Sequence, residues 1–166
     1  WEAQAADEFS RTEGGFSRFN FDVNHVSKLS KVTQFYIFAH GQLANRNLDS
    51  SEQFYLGGAD AVRAYPQGEA GGDSGYQATA ELRYQTPVKG MSMTLFADVG
   101  EVLARKDGDT SDPHRRLAGW GIGAVYSLDR SLYARLDYAR KIKGESYRSE
   151  AEDKNGRLWF RLYKLF

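Results

Sequence analysis

Cysteine is absent from the 166 residues, which excludes a disulfide framework, thiol catalysis and cysteine-ligated zinc. The absence fits an exported protein that avoids stray thiols in an oxidising compartment. No apolar run approaches the roughly 18 residues that a spanning helix requires, although the apolar fraction is 41%. A helical membrane protein is therefore excluded. Charge of one sign is not in excess either. Lys plus Arg and Asp plus Glu both count 22, for a formal net charge of zero, so the chain as a whole exerts no pull toward nucleic acid or acidic lipid. The opening WEAQAADE lacks the basic-then-apolar order of a signal peptide. Starting at Trp1, the chain reads as a mature or excised piece, long enough for one ordinary domain.

Aromatic residues are plentiful at 14%, and Gly counts 17 against 3 Pro, a balance that favours strands and turns. Alternation is the stronger signal. In MSMTLFADVG, Met91, Met93, Leu95, Ala97 and Val99 share one face, with Ser92, Thr94, Phe96, Asp98 and Gly100 on the other. RLAGWGIGAVYSL sets Ala118, Trp120, Ile122, Ala124 and Tyr126 against Gly119, Gly121 and Gly123. SLYARLDYAR opposes Leu132, Ala134, Leu136 and Tyr138 to Tyr133, Arg135 and Asp137, and YQATAELRY opposes Ala78, Ala80, Leu82 and Tyr84 to Gln77, Thr79, Glu81 and Arg83. FSRFNFDVNHV and VTQFYIFAHGQL also read as strands, the second with ambiguous faces. RLWFRLYKLF closes the set, with Leu158, Phe160, Leu162 and Phe166 on one side and Lys164 interrupting them. The expectation is about seven strands of roughly 10 to 14 residues, longer than the usual 5 to 6 of soluble sheets.

Connections fall into two alternating classes. Short ones lie at Ser27 to Lys31, Thr86 to Gly90 and Leu128 to Ser131; long polar ones lie at Asn45 to Gly75, Lys106 to Pro113 and Gly144 to Gly156. Long strands that are apolar on one face and polar on the other, with short turns at one end and long loops at the other, describe an antiparallel transmembrane β-barrel. A soluble sandwich or lipocalin-like barrel shares the alternation. Strand length, the two classes of connection, and a polar face of glycines and charges rather than surface lysines favour the membrane wall.

Few residues offer other chemistry. His25, His40 and His114 lack metal-ligand spacing. GGDSG, at 71–75, has too few ligands for calcium and no strand-to-helix context for a nucleophile turn. Asp22 and His25 stand three apart on a strand, hence on opposite faces. SEAEDKNG, at 149–156, reads as a solvated loop.

The run FYLGGADAVRAYP resembles the signature loop F-x-L-G-G-x-x-x-V-R-G-Y of the outer-membrane transporters of two-partner secretion, the TpsB family of ShlB/FhaC/HecB-like haemolysin secretion/activation proteins in the BamA superfamily. Phe54, Leu56, Gly57, Gly58, Val62, Arg63 and Tyr65 match, and Ala64 stands where Gly is common. Phe96, Asp98 and Gly100 in FADVGEV resemble the family's strand motif F-x-D-x-G, and terminal Phe166 is similar to the aromatic signal read by the barrel-assembly machinery. The resemblance implies that residues 1–166 are the carboxy-terminal part of a sixteen-stranded barrel whose POTRA domains and first strands lie outside this chain. It also implies a long loop, at about 46–75, folded into the lumen, with Val62, Arg63, Ala64 and Tyr65 at its tip. Arg63 is then expected to meet Asp98, with Glu81 as a shared partner and Phe96 packed on Tyr65.

The implied function is a pore that passes a large unfolded exoprotein of the TpsA type to the cell surface of a Gram-negative bacterium. The implied partners are that cargo, the assembly machinery and membrane lipid, with no nucleic acid, no cofactor, no metal and no enzymatic activity. A barrel insertase of the same superfamily, a small autonomous barrel acting as an adhesin, and a barrel tethered to an upstream enzyme are the alternatives.

Overall fold

The structure, a computed structural model, describes residues 15–104, 114–128, 131–142 and 155–165. Seven strands form one antiparallel sheet: β1 (Arg18–Lys28), β2 (Thr33–Ala44), β5 (Ser74–Gln85), β6 (Met91–Leu103), β7 (His114–Leu128), β8 (Leu132–Lys141) and β9 (Gly156–Lys164). Two short strands, β3 (Phe54–Leu56) and β4 (Ala70–Gly72), pair with each other inside the long loop between β2 and β5. Each long strand pairs with the next long strand in sequence, so the sheet is a meander interrupted only by that loop. Such a wall needs only short turns and long loops, in alternation. The first turn lies at 29–32, slightly later than its sequence signal, because β1 and β2 pair out to Lys28 and Gln34. Ser30 Oγ then accepts from the Val32 and Thr33 amides and closes the turn.

The pleat sorts the side chains as the alternation predicts. Register aligns Leu82, Leu95, Ile122, Tyr138 and Leu158 as direct neighbours across five strands, and every one of them is exposed. A soluble monomer rarely carries so continuous an apolar band; on a membrane barrel this is the face that meets lipid. The ambiguous strand, β2, turns Tyr36, Phe38 and His40 to the opposite, concave face, where they line a cavity of about 470 Å³. Among the described residues the sheet is an open arc, β1 and β9 each having one neighbour.

The buried apolar core lies between the concave face and the long loop. Phe54, Leu56, Val62, Ala64, Tyr65 and Ala70 come from the loop, and Phe96, Val102, Leu117 and Ala139 from the wall. Without the inward fold of 45–73, those four wall residues would line open lumen. Asp73 anchors the base of the loop: it is fully buried, and its Oδ1 accepts from the Leu48 amide and from Gln53 Nε2. Phe166 lies outside the described residues, as does most of 149–156.

Candidate functional site

The tip of the loop is compact because its backbone closes on itself. The Gly58 amide donates to Tyr65 O at 3.1 Å, and the Tyr65 amide donates to Val62 O at 3.1 Å. Gly57 enters this turn at φ +86, a left-handed conformation that favours glycine. Closure at both ends leaves Arg63 pointing away from the turn and into the wall.

Arg63 Nε donates to Asp98 Oδ2 at 2.8 Å and Nη2 donates to Oδ1 at 2.7 Å. This is the parallel fork that guanidinium and carboxylate form best. The third nitrogen, Nη1, donates to Glu81 Oε1 at 2.9 Å. The Arg63 amide also donates to Asp98 Oδ2, at 3.2 Å, and Thr79 Oγ1 donates to Oδ1 at 2.9 Å. Beneath the fork, the guanidinium carbon sits 3.3 Å from the centroid of Phe96, a cation–π contact. Arg63, Glu81 and Asp98 are all buried. Burial works against the charge of Arg63, but the bond to Asp98 and the charges of Asp98 and Glu81 outweigh it, so its pKa rises above the ordinary arginine value.

Asp98 and Phe96 share β6 with Gly100, and alternation aims all three inward. Glu81 arrives from the adjacent β5, directly opposite Phe96 in the ladder. Glycine clears the space the loop needs. A Cβ on Gly119 would lie 2.6 Å from that of Ala64, one on Gly121 would lie 2.5 Å from Phe96 Cζ, and one on Gly100 would lie 2.6 Å from Leu56 Cδ2. Ala64 therefore occupies room that β7 provides, and Val62 and Tyr65 are buried beside it. Phe96 and Tyr65 belong to one buried cluster; Arg63 covers the face of Phe96, and Lys141 Nζ lies 4.9 Å from the Tyr65 ring centroid.

Several members of the network carry no sequence motif. Arg135, on β8, donates from Nη2 to Glu81 Oε1 at 2.8 Å and from Nε to Asp137 Oδ2 at 2.7 Å. Arg83 holds the other oxygen of Glu81 at 2.7 Å. Trp159, on β9, donates its indole N–H to Arg63 O at 2.7 Å, and Arg161 pairs with Asp60 of the loop. The available signal was alternation alone, which puts Arg135, Asp137, Trp159 and Arg161 on the polar faces of their strands. Elsewhere, His40 Nδ1 meets Asp22 Oδ1 across the β1–β2 ladder at 2.7 Å, His25 bonds Ser27, and His114 bonds Glu101. Among the described residues no cluster of His, Cys, Asp and Glu is arranged to hold a metal.

An antiparallel wall that is apolar outside and charged inside, with a loop pinned in its concavity by a buried arginine, defines part of an outer-membrane β-barrel. The chain belongs to the haemolysin secretion/activation protein family ShlB/FhaC/HecB, whose family model matches residues 1–126. It is similar to the heme/hemopexin transporter protein HuxB of Haemophilus influenzae strain 86-028NP, at 33% identity over 57% of this chain and 17% of the relative. HuxB of strain Rd is 32% identical over 58% of this chain and 18% of its own length. Among solved structures, CdiB from Acinetobacter baumannii shares the fold with a TM-score of 0.68 and 22% identity, over 90% of this chain and 27% of that one. The chain thus spans under a fifth of the curated relatives it matches. Membership places it in the outer membrane of a Gram-negative bacterium.

Proposed function

We propose that the protein is the pore of a two-partner secretion system, passing one large unfolded exoprotein of the TpsA type from periplasm to cell surface. In this reading the seven strands are one arc of a longer barrel wall, preceded by POTRA domains, and the barrel-assembly machinery inserts it into lipid. The outer membrane has no nucleotide supply, so energy comes from folding of the cargo outside. HuxB is by name a transporter, which agrees with this class of activity.

The observation that carries the reading is the buried fork between Arg63 and Asp98. Such a pair positions more than it stabilises, because each charge gives up hydration that only its partner replaces. Arg63 and Asp98 hold the loop in the lumen, Glu81 shares the arginine, and Phe96, Gly100, Val62, Ala64 and Tyr65 shape the seat. The test uses the full-length protein expressed in a strain deleted for it, with large proteins of the culture medium read by mass spectrometry. Arg63→Asp and Asp98→Arg are each expected to abolish secretion of the exoprotein that the parent restores, and the double reversal to recover part of it. A double reversal no better than either single would overturn the direct role of the pair; no exoprotein dependent on the parent would overturn the transport reading.

A further inference from the structure

Strand β9 carries an arrangement that the Arg63–Asp98 pair does not require. Register sets Arg161 directly opposite Arg135 and Trp159 directly opposite Asp137. Like charges facing one another across a ladder repel, and Arg135 already takes Asp137 Oδ2 at 2.7 Å and Glu81 Oε1 at 2.8 Å. Arg161 is left with Asp137 Oδ2 at 3.6 Å. Its close counterion is Asp60, which lies on the loop, 101 residues away in sequence. Two positions along the same face of the strand, the Trp159 indole donates to the carbonyl of Arg63 itself, at 2.7 Å. The loop tip therefore supplies Arg161 with an anion closer than Asp137, and the Trp159 indole with an acceptor.

We infer that Trp159 and Arg161 are positioning residues that clamp the loop tip to β9, setting where Arg63 sits through its backbone rather than its charge. Asp98 and Glu81 hold the guanidinium from β6 and β5; Trp159 holds the same residue from the opposite end of the network. Because Trp159 and Arg161 face Asp137 and Arg135 of β8 across the ladder, the clamp ties the position of the loop to the placement of β9. Loop departure would then leave Arg161 facing Arg135 with only the more distant Asp137, at 3.6 Å, so the positions of tip and β9 are coupled. The consequence for secretion rests on the transport reading above; the clamp itself does not.

The test uses the full-length protein in isolated outer membranes, with Val62→Cys as reporter. Val62 is fully buried, so a docked tip protects the introduced thiol from a small maleimide. Folding is read independently by the heat-dependent mobility of the barrel in detergent gels. Trp159→Phe, which keeps a ring and removes the donor, and Arg161→Gln are each expected to raise the labelling rate about tenfold or more in folded protein. Asp60→Arg combined with Arg161→Asp is expected to return the rate toward that of the parent, which a merely structural role of Arg161 would not produce. Labelling within twofold of the parent in both single variants overturns the clamp, as does a parent whose thiol already reacts at the rate of an exposed one. If Trp159→Phe does not fold, Arg161→Gln and the charge exchange decide by themselves. Secretion, measured in parallel, separates the outcomes: changed labelling with unchanged secretion keeps the clamp and removes its part in transport.

Discussion

Arg63 grips both oxygens of Asp98, at 2.8 and 2.7 Å, across 35 residues of chain. The two side chains are 4% and 1% exposed, so neither charge has solvent to fall back on. Removing one partner of a buried pair typically costs about 3 to 5 kcal/mol, because the other charge is stranded. Asp98→Ala is expected to weaken docking of the tip by that order. The double variant Arg63→Ala, Asp98→Ala should cost clearly less than the sum of the singles. Maleimide labelling of Val62→Cys gives the docking equilibrium for the cycle.

Arg63→Lys separates charge from geometry. Lysine keeps the cation but not the planar fork, and it cannot lie flat on Phe96 while bonding both oxygens of Asp98 and Glu81. The expected result is labelling of the reporter intermediate between that of the parent and of Arg63→Ala. Labelling equal to the parent would show that a point charge suffices.

Gly119 makes a pair-specific prediction. A Cβ at this position would lie 2.6 Å from that of Ala64, and overpacking of this kind costs about 1 to 3 kcal/mol. Gly119→Ala should displace the tip and expose the reporter thiol. Ala64→Gly removes the atom it strikes, so the double variant should recover most of the protection. Failure to recover would place the clash elsewhere.

Arg135 lies outside every sequence motif, yet it bonds both Glu81 and Asp137. Arg135→Met is expected to disturb the tip less than loss of Arg63, since Glu81 keeps Arg63 and Arg83 while Asp137 loses its closest cation. Adding Asp137→Asn should relieve part of the defect by removing one stranded charge.

The outer face can be tested by charge. Leu95 is exposed within the apolar band, and a cation near the bilayer midplane costs a barrel about 2 to 4 kcal/mol. Leu95→Arg should lower the yield of folded protein in the outer membrane. A lysine at His40, on the concave face beside Asp22, should leave that yield near the parent's. Equal losses at both positions would argue against a lipid-facing band.

Alternation along each strand was enough, by itself, to determine the sheet, the sidedness of most strands and the alternation of short turns with long loops, because a period of two is a local property of the chain. The motifs FYLGGADAVRAYP and FADVGEV pointed to Arg63 and Asp98 through resemblance. β2 stayed ambiguous, since both of its faces are apolar or aromatic at the centre and only pairing with β1 and β5 decides which one turns inward. The rest of the network was set by tertiary structure alone. Arg135, Asp137, Trp159, Arg161 and Asp60 join it because register carries β8 and β9 to the place where the loop descends, and Gly119 of β7 leaves room for Ala64 to arrive. No local pattern records that meeting, since it depends on the curvature of the sheet and the closure of the loop together.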